Sequence, residues 1–250
     1  MKALRSIMIH DQIYDSLRRA IMCGHFKPGA QLSARGLAKE FGVSQMPVRD
    51  ALNRLTSDRA LERTQDRRYR VPVLDNNYLK ALYAARVINE GAAAELATDL
   101  ITDKEIETLE DIQEEIEKEA EIALHVKDKE EIDIRNDVVL HNKFHFTLYS
   151  ACGNPMLISI IESLWLQYAP GIAYFLEIRK LTSTKKDLTQ LNKSHNKKHR
   201  NIISALRTRD SRKVKAALVK DITPYRLIVE ASETQHGITL PERHITEYIE

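Results

Sequence analysis

The sequence predicts a mainly α protein in two parts: three helices and a two-stranded hairpin over residues 1–75, then a bundle of about six helices over 78–232. Two patterns predict it. Short amphipathic stretches broken by Gly and Pro give way to alternation only between 61 and 73, and from Tyr78 onward apolar positions recur at helical period alone. The charge also divides there. Residues 1–75 carry 14 Lys/Arg against 8 Asp/Glu, a net of +6, and the remainder carries 24 against 28, a net of −4. The segment 233–250 is a short polar tail without an assigned element.

In the first part, Ile9, Ile13, Leu17 and Ile21 share one helical face, with Arg18 and Arg19 on another. That helix stops at Cys23-Gly24, and residues 25–29 read as a turn. A short helix follows, with Ser33 as N-cap and Leu37, Ala38 and Phe41 facing inward, and Gly42 ends it. Ser44 is the expected cap of a third helix, whose Val48, Ala51, Leu52 and Leu55 form a buried stripe. Pro47 falls in its first turn, where a missing N–H costs little. Residues 61–64 and 69–73 read as strands around the polar turn 65–68. Three helices and a hairpin make a winged helix-turn-helix, and Asp75-Asn76-Asn77 is the natural linker.

Beyond it, residues 78–101 form an Ala-rich amphipathic helix. Thr102 and Glu105 make a capping box that opens a charged helix running to about His125. Further helices are expected over about 129–151, 155–181 (bent near Pro170-Gly171), 184–208 and 210–232.

Composition excludes several classes. No apolar run approaches the roughly 20 residues needed to cross a bilayer, so no membrane partner is expected. The start, MKALRSIMIHDQIYDSL, breaks into charge too soon for a secretory signal. Cys23 and Cys152 stand far apart and read as buried small hydrophobes in a reducing cytoplasm. A basic unit joined to a larger acidic one suits a polyanion-binding module carried by a separate domain.

The third helix offers the reading surface. Gln45, Arg49 and Asn53 are spaced four apart opposite the apolar stripe, and Arg suits guanine while Gln or Asn suits adenine in a major groove. The stretch GHFKPGAQLSARGLAKEFGVSQMPVRDALNRL at 24–55 resembles the DNA-binding domain of the GntR family, nearly continuously over its length. The resemblance implies base and phosphate contacts from Arg35, Ser44, Gln45 and Arg49, with Arg67 and Arg68 contributing from the wing tip. Two departures stand out. Gln45 occupies a position where the family usually has Arg, and Arg67-Arg68 occupy a wing turn that usually holds Gly.

In the helical part, His141 and His145 are one turn apart on a stripe with Val138 and Leu148, so both rings can reach one metal ion. A later helix offers His199, and the next offers Asp221 beside Leu218 and Ile222. Three His and one Asp would hold a divalent ion with room for a bidentate ligand, zinc by default and nickel or manganese as alternatives. If Asp221 lies instead on the surface, His195 is the substitute ligand. Arg86 and Glu90, one turn apart, form an i,i+4 pair that suits a surface ion pair as well as a pocket.

Three further stretches, RVINEGAAAELA at 86–97, FHFTLYSACGNPML at 144–157 and HRNIISALRTRD at 199–210, resemble the FCD effector domain of the FadR subfamily. Against that pattern His141 stands where Asp is expected and Asp221 where the last His is expected, so the ligand set is kept with two members exchanged. The resemblance implies that Arg86 clamps an effector carboxylate, with Tyr83 and Asn142 as further pocket candidates. It implies a homodimeric regulator, usually a repressor, on a two-fold symmetric operator, responding to a small organic acid in the cytoplasm at the nucleoid. Two rivals remain from the residues alone: a metal-dependent enzyme acting on a small carboxylic acid, and a DNA-binding protein whose bundle only dimerises. The enzyme lacks a general base at a defined spacing from the ligands, as in His-Glu-x-x-His.

Overall fold

The computed structural model describes residues 2–126 and 134–222. They form two compact units: residues 2–75 together with 165–174, and residues 76–164 together with 175–222. The expected tail at 233–250 and the ends of two expected helices, 129–133 and 223–232, lie outside the described residues.

The first unit starts with α1 (Lys2–Met22), which buries Ile13, Leu17 and Ile21 and leaves Ile9 half-buried. Next come β1 (Gln31–Leu32), α2 (Ala34–Phe41), α3 (Gln45–Ser57), β2 (Glu62–Arg63) and β3 (Tyr69–Arg70). Ser33 caps α2 as its sequence implies, accepting from Gly36 N at 2.9 Å, and Gly42 closes the helix in the left-handed region at φ 65°. Ser44 departs from expectation. It has the extended backbone of an N-cap before α3, but its hydroxyl makes no capping bond.

The sheet has three antiparallel strands in the order β1-β3-β2, pairing Leu32 with Tyr69 and Arg63 with Tyr69. The sequence pattern missed β1, because two residues are too few to display a period of two. The wing strands are also shorter than expected, since Pro72 has no N–H to extend the ladder past Val71.

The second unit contains α4 (Asn76–Leu100), α5 (Asp103–His125), α6 (Ile134–Ser150), α7 (Pro155–Thr182, in part), α8 (Lys185–Arg207) and α9 (Ser211–Asp221). Small buried residues on α4, Ala93, Ala94 and Ala97, permit the close approach of α9, while α5 buries Ile106, Leu109, Ile112 and Ile116 against α6 and α8. Thr102 and Glu105 do form the capping box, each satisfying the other's backbone N–H.

α7 continues as α-helix past Pro170, and it corrects the hydropathy reading. Its 28 residues are long and apolar enough by length and composition to cross a bilayer, although 44% of the relevant window is buried within the protein. Counting uninterrupted apolar residues missed it because Glu162, Gln167 and several small polar residues interrupt the run without lowering its average much. Cys23 and Cys152 are both buried and outside any disulfide, as expected.

Candidate nucleic-acid interface and metal centre

α3 is held by its apolar side. Val48, Leu52 and Leu55 are fully enclosed, so Gln45 and Arg49 are left exposed on the opposite face. The helix is pinned to α1 by Tyr14, whose hydroxyl donates to Asp58 Oδ2 at 2.7 Å while the Arg54 guanidinium covers its ring at 3.7 Å. Burial, with help from Asp58, pushes the Tyr14 hydroxyl up to about 12, so it stays a donor. Gln45 and Arg49 share one concave surface of about 390 Å³ with Arg35, Arg67 and Arg68. Arg63 joins them, so five guanidinium groups surround one hollow, a concentration of charge suited to a phosphate backbone. Ser44 is exposed at the head of α3 beside this hollow, although not among its lining residues.

Asn53 has a different task from Gln45 and Arg49. Its Oδ1 accepts from Tyr69 Oη at 2.7 Å and so ties α3 to β3 of the wing. The wing tip is also ordered from within. Arg68 reaches Gln31 Oε1 at 2.9 Å and Asp66 Oδ2 at 3.1 Å, and Thr64 donates to Asp66. The hydrogen bond from Thr64 holds the Asp66 carboxyl below its ordinary value. Arg67 adopts φ 63°, a left-handed conformation that costs an L-residue about 1–2 kcal/mol and that Gly adopts freely. The turn therefore keeps the geometry a glycine would supply while carrying a cation.

In the second unit the residues singled out from the sequence converge. His145, His199 and Asp221 are buried, at 0, 0 and 4% exposed. Asp221 thus lies inward, at the end of α9, with Oδ2 at 3.1 Å from His145 Nε2 and 3.7 Å from His199 Nε2. The His141 ring lies 4.4 Å from that of His145 and 5.4 Å from that of His199, and its Nδ1 is 3.2 Å from His195 Nε2. His195 therefore joins the cluster alongside Asp221 rather than in its place.

The hydrogen bonds around the cluster determine which nitrogen is offered. Glu90, bound by Arg86 Nε at 2.5 Å, accepts from Tyr149 Oη at 2.5 Å. With that proton committed, Tyr149 Oη can only accept from His145 Nδ1, 3.0 Å away. His145 Nε2 is then left as a lone pair facing a carboxylate oxygen, so a proton or a metal ion must stand between them. His199 is set in the same way. Its Nδ1 donates to Gln113 Oε1 at 2.7 Å, and Gln113 is oriented by donating to Glu117 and Asn196. Such partners on the far ring nitrogen are what orient metal-ligating imidazoles.

Electrostatics point the same way. Burial, reinforced by the neighbouring imidazoles, holds His141 and His199 well below the ordinary histidine range, and burial also lowers His195. Burial alone would raise Asp221, but its close contacts with His145 and His199 hold it well below the carboxylate range. Imidazoles at 141, 195 and 199 that burial keeps neutral, beside a carboxylate that stays ionised, suit a metal ion. His199 Nε2 and Asp221 Oδ1 are buried and have no hydrogen-bond partner among the described residues. Unpaired atoms of this kind are costly unless something else occupies the space between them. The donor set fits a divalent cation.

Arg86 makes the i,i+4 pair with Glu90 that the sequence offers, and makes it in the interior rather than at the surface. It is 2% exposed and engages Glu90 through two bonds, so its charge is already answered by a carboxylate of the chain itself. Tyr83 and Asn142 are half-buried. Sequence reasoning missed Tyr149 and Gln113. Tyr149 could have been found as the next inward position after His145 on α6, and Gln113 as the one polar residue on the buried stripe of α5.

Comparison with known proteins follows this division of the chain. Residues 9–71 match the family of bacterial regulatory proteins called gntR, and residues 81–223 match the FCD domain. The HTH-type transcriptional regulator McbR of Escherichia coli K12 is 27% identical over 174 residues, 70% of this chain and 75% of that protein. The Nta operon transcriptional regulator of Aminobacter aminovorans is 34% identical over 140 residues, 56% of this chain and 62% of that one. Among solved structures, E. coli McbR/YncC superposes with a TM-score of 0.77 at 24% identity, covering 90% of this chain and 98% of that one. At that identity the likeness speaks for the fold.

Proposed function

The chain belongs to the GntR family of bacterial regulatory proteins, with an FCD domain in its C-terminal half, and is a transcriptional regulator rather than an enzyme; from that membership we propose that it is a metal-centred sensor of a small organic acid that controls binding to operator DNA. Arg35, Ser44, Gln45 and Arg49 meet bases and phosphates from the helical face, and Arg67 and Arg68 do so from the wing. Two copies bind a two-fold symmetric site as a homodimer, in the cytoplasm at the nucleoid. With Gln45 in place of Arg, the half-site favours adenine where the family more often reads guanine.

In the second unit His141, His145, His199 and Asp221 hold a divalent ion, with zinc favoured over nickel and manganese. When bound, the ion supplies a Lewis-acidic anchor for a carboxylate oxygen. The protein's own part is orientation and exclusion of water. Tyr149 and Gln113 fix the two imidazoles, Arg86 and Glu90 hold Tyr149, and Tyr83 and Asn142 border the space the acid would use. Arg86 then acts on the effector through Glu90 and Tyr149.

The observation that carries this reading is the meeting of histidines from α6 and α8 with Asp221 at the end of α9, with His145, His199 and Asp221 buried. An acid can shift operator affinity only by binding one conformation more tightly than another. The test is metal analysis of purified protein, with operator selection and duplex binding measured with and without chelator and candidate acids. The expected result is about one bound ion per chain and an operator affinity that responds to acid only when metal is present. Metal retained at full stoichiometry in both His145→Ala and Asp221→Ala would overturn the assignment. Operator binding indifferent to metal, chelator and every acid would leave the bundle a dimerisation element only.

A further inference from the structure

The histidine centre contains two pairs of the same kind facing each other. His141 and His145 stand one turn apart on α6, and His195 and His199 stand one turn apart on α8. Two overlapping triads, His141/His145/His199 and His195/His199/Asp221, each keep their donor atoms within 4.8 Å of one another. Both contain His199, so the two triads adjoin, and an ion held by all five residues would draw them together.

Three donor–donor spacings can be set against what a single ion requires. Around an ion with bonds of about 2.1 Å, neighbouring donors stand about 3.0 Å apart and opposed donors about 4.2 Å. The distances His145 Nε2–Asp221 Oδ2, His141 Nδ1–His195 Nε2 and His199 Nε2–Asp221 Oδ2 are 3.1, 3.2 and 3.7 Å, all within that interval. The ring of His195 also lies 4.3 Å from that of His199 and 5.1 Å from that of His141. His195 makes little claim on the apolar core, which α8 supplies through Ile202, Ile203 and Leu206.

We infer that His195 is a fifth protein ligand, so that four imidazoles and one carboxylate hold the ion and one coordination position remains. This rests on the metal reading above and narrows it. A single open position admits an acid through one oxygen and excludes a chelating acid that needs two. Four imidazoles also bias the centre toward nickel, zinc and cobalt(II) and away from manganese, whose preference is for oxygen donors.

The experiment uses the full chain loaded with zinc or cobalt(II), with acetate as one-oxygen probe and oxalate as chelating probe. X-ray absorption of the zinc-loaded wild type is expected to count four imidazoles. His195→Ala and the bulkier His195→Gln, both checked for helical content by circular dichroism, are expected to weaken zinc binding by more than about tenfold, the least cost of disturbing even an outer partner of a ligand. In the cobalt(II) form the visible spectrum of the wild type is expected to change with acetate and to show no advantage for oxalate. His195→Ala, with a second position opened, gains about tenfold or more in oxalate affinity, near 1.4 kcal/mol. Three imidazoles in the wild type, with unchanged zinc affinity in both variants, would exclude His195 and leave the metal reading standing. Failure of the wild type to take up either ion would overturn both.

Discussion

Replacing Tyr149 by Phe removes one oxygen atom from a fully enclosed position and leaves the ring and its packing in place. That oxygen donates to Glu90 Oε2 at 2.5 Å and lies 3.0 Å from His145 Nδ1. Without it Glu90, which is 0% exposed, keeps only its Arg86 pairing, and the His145 Nδ1–H loses its acceptor. A hydrogen bond to a charged group contributes about 1.5–3 kcal/mol, and a buried donor left unmet costs about 1–3 kcal/mol. The metal-free variant is therefore expected to unfold about 2–4 kcal/mol more easily in urea, allowing for some relaxation. The larger consequence falls on the metal. His145 becomes free to turn or to take the other tautomer, and losing such a partner weakens metal binding by about 10–100-fold. Competition of the protein against a chromophoric chelator measures that directly. The hydrogen-bond argument is refuted if Tyr149→Phe binds zinc within about twofold of the wild type, a difference under about 0.5 kcal/mol.

Three other outcomes are expected. Arg67→Gly relieves about 1 kcal/mol of left-handed strain but adds about as much chain entropy to the unfolded state, so thermal unfolding of the variant should move little. Its DNA affinity should nevertheless fall and, if Arg67 meets a phosphate, the log–log salt slope of binding should flatten by about 0.9. A Gln45→Arg change should move base preference at one half-site position toward guanine, checked by selection from random duplexes; an unchanged selected site would remove Gln45 from the base-reading set. The metal-free protein should lose stability on acidification. His141, His195 and His199 lie below their unfolded value and Asp221 likewise, so their contribution is complete above the unfolded values and is lost as pH falls through them. The loss should begin near pH 6.5 and steepen by about 1.4 kcal/mol per pH unit for each histidine that takes a proton only on unfolding. Denaturation midpoints that stay flat from pH 7 to about 5 would contradict that sign.

The parts legible in the sequence were those whose signal is local. Capping by Ser33 and by Thr102 with Glu105, the apolar stripe of α3 and the pairing of His141 with His145 each occupy a few consecutive turns, where periodicity is a direct image of packing. What stayed hidden depended on a partner distant in the chain. An Arg86–Glu90 pair reads identically whether it faces water or core, and only Tyr149, 59 residues beyond Glu90, shows which. His195 was obscured by its own helix, since the lysines at 197 and 198 make that turn of α8 read as a solvated face. The left-handed Arg67 could be seen only as a missing glycine. Nothing in its identity says whether the turn relaxed or the residue accepted the strain.

Two chains of hydrogen bonds leave the centre, and their ends constrain how occupancy could be felt. One runs from His145, which faces Asp221, through Tyr149 and Glu90 to Arg86, linking α6 to α4. The other runs from His199 through Gln113 and Glu117 to Arg200, linking α8 to α5 and back. Buried ion pairs such as Arg86 with Glu90 add little net stability over an apolar pair of the same shape, but they are costly to break singly. Their presence makes more sense as a constraint on position than as a source of stability. α4 is also the helix that follows directly on Asp75, the last residue of the first unit's N-terminal stretch. If occupancy acts along the first chain, Tyr149→Phe should reduce the effect of metal on operator affinity by more than its weaker metal binding explains. At saturating zinc, an unchanged effect would assign Tyr149 to ligand orientation alone.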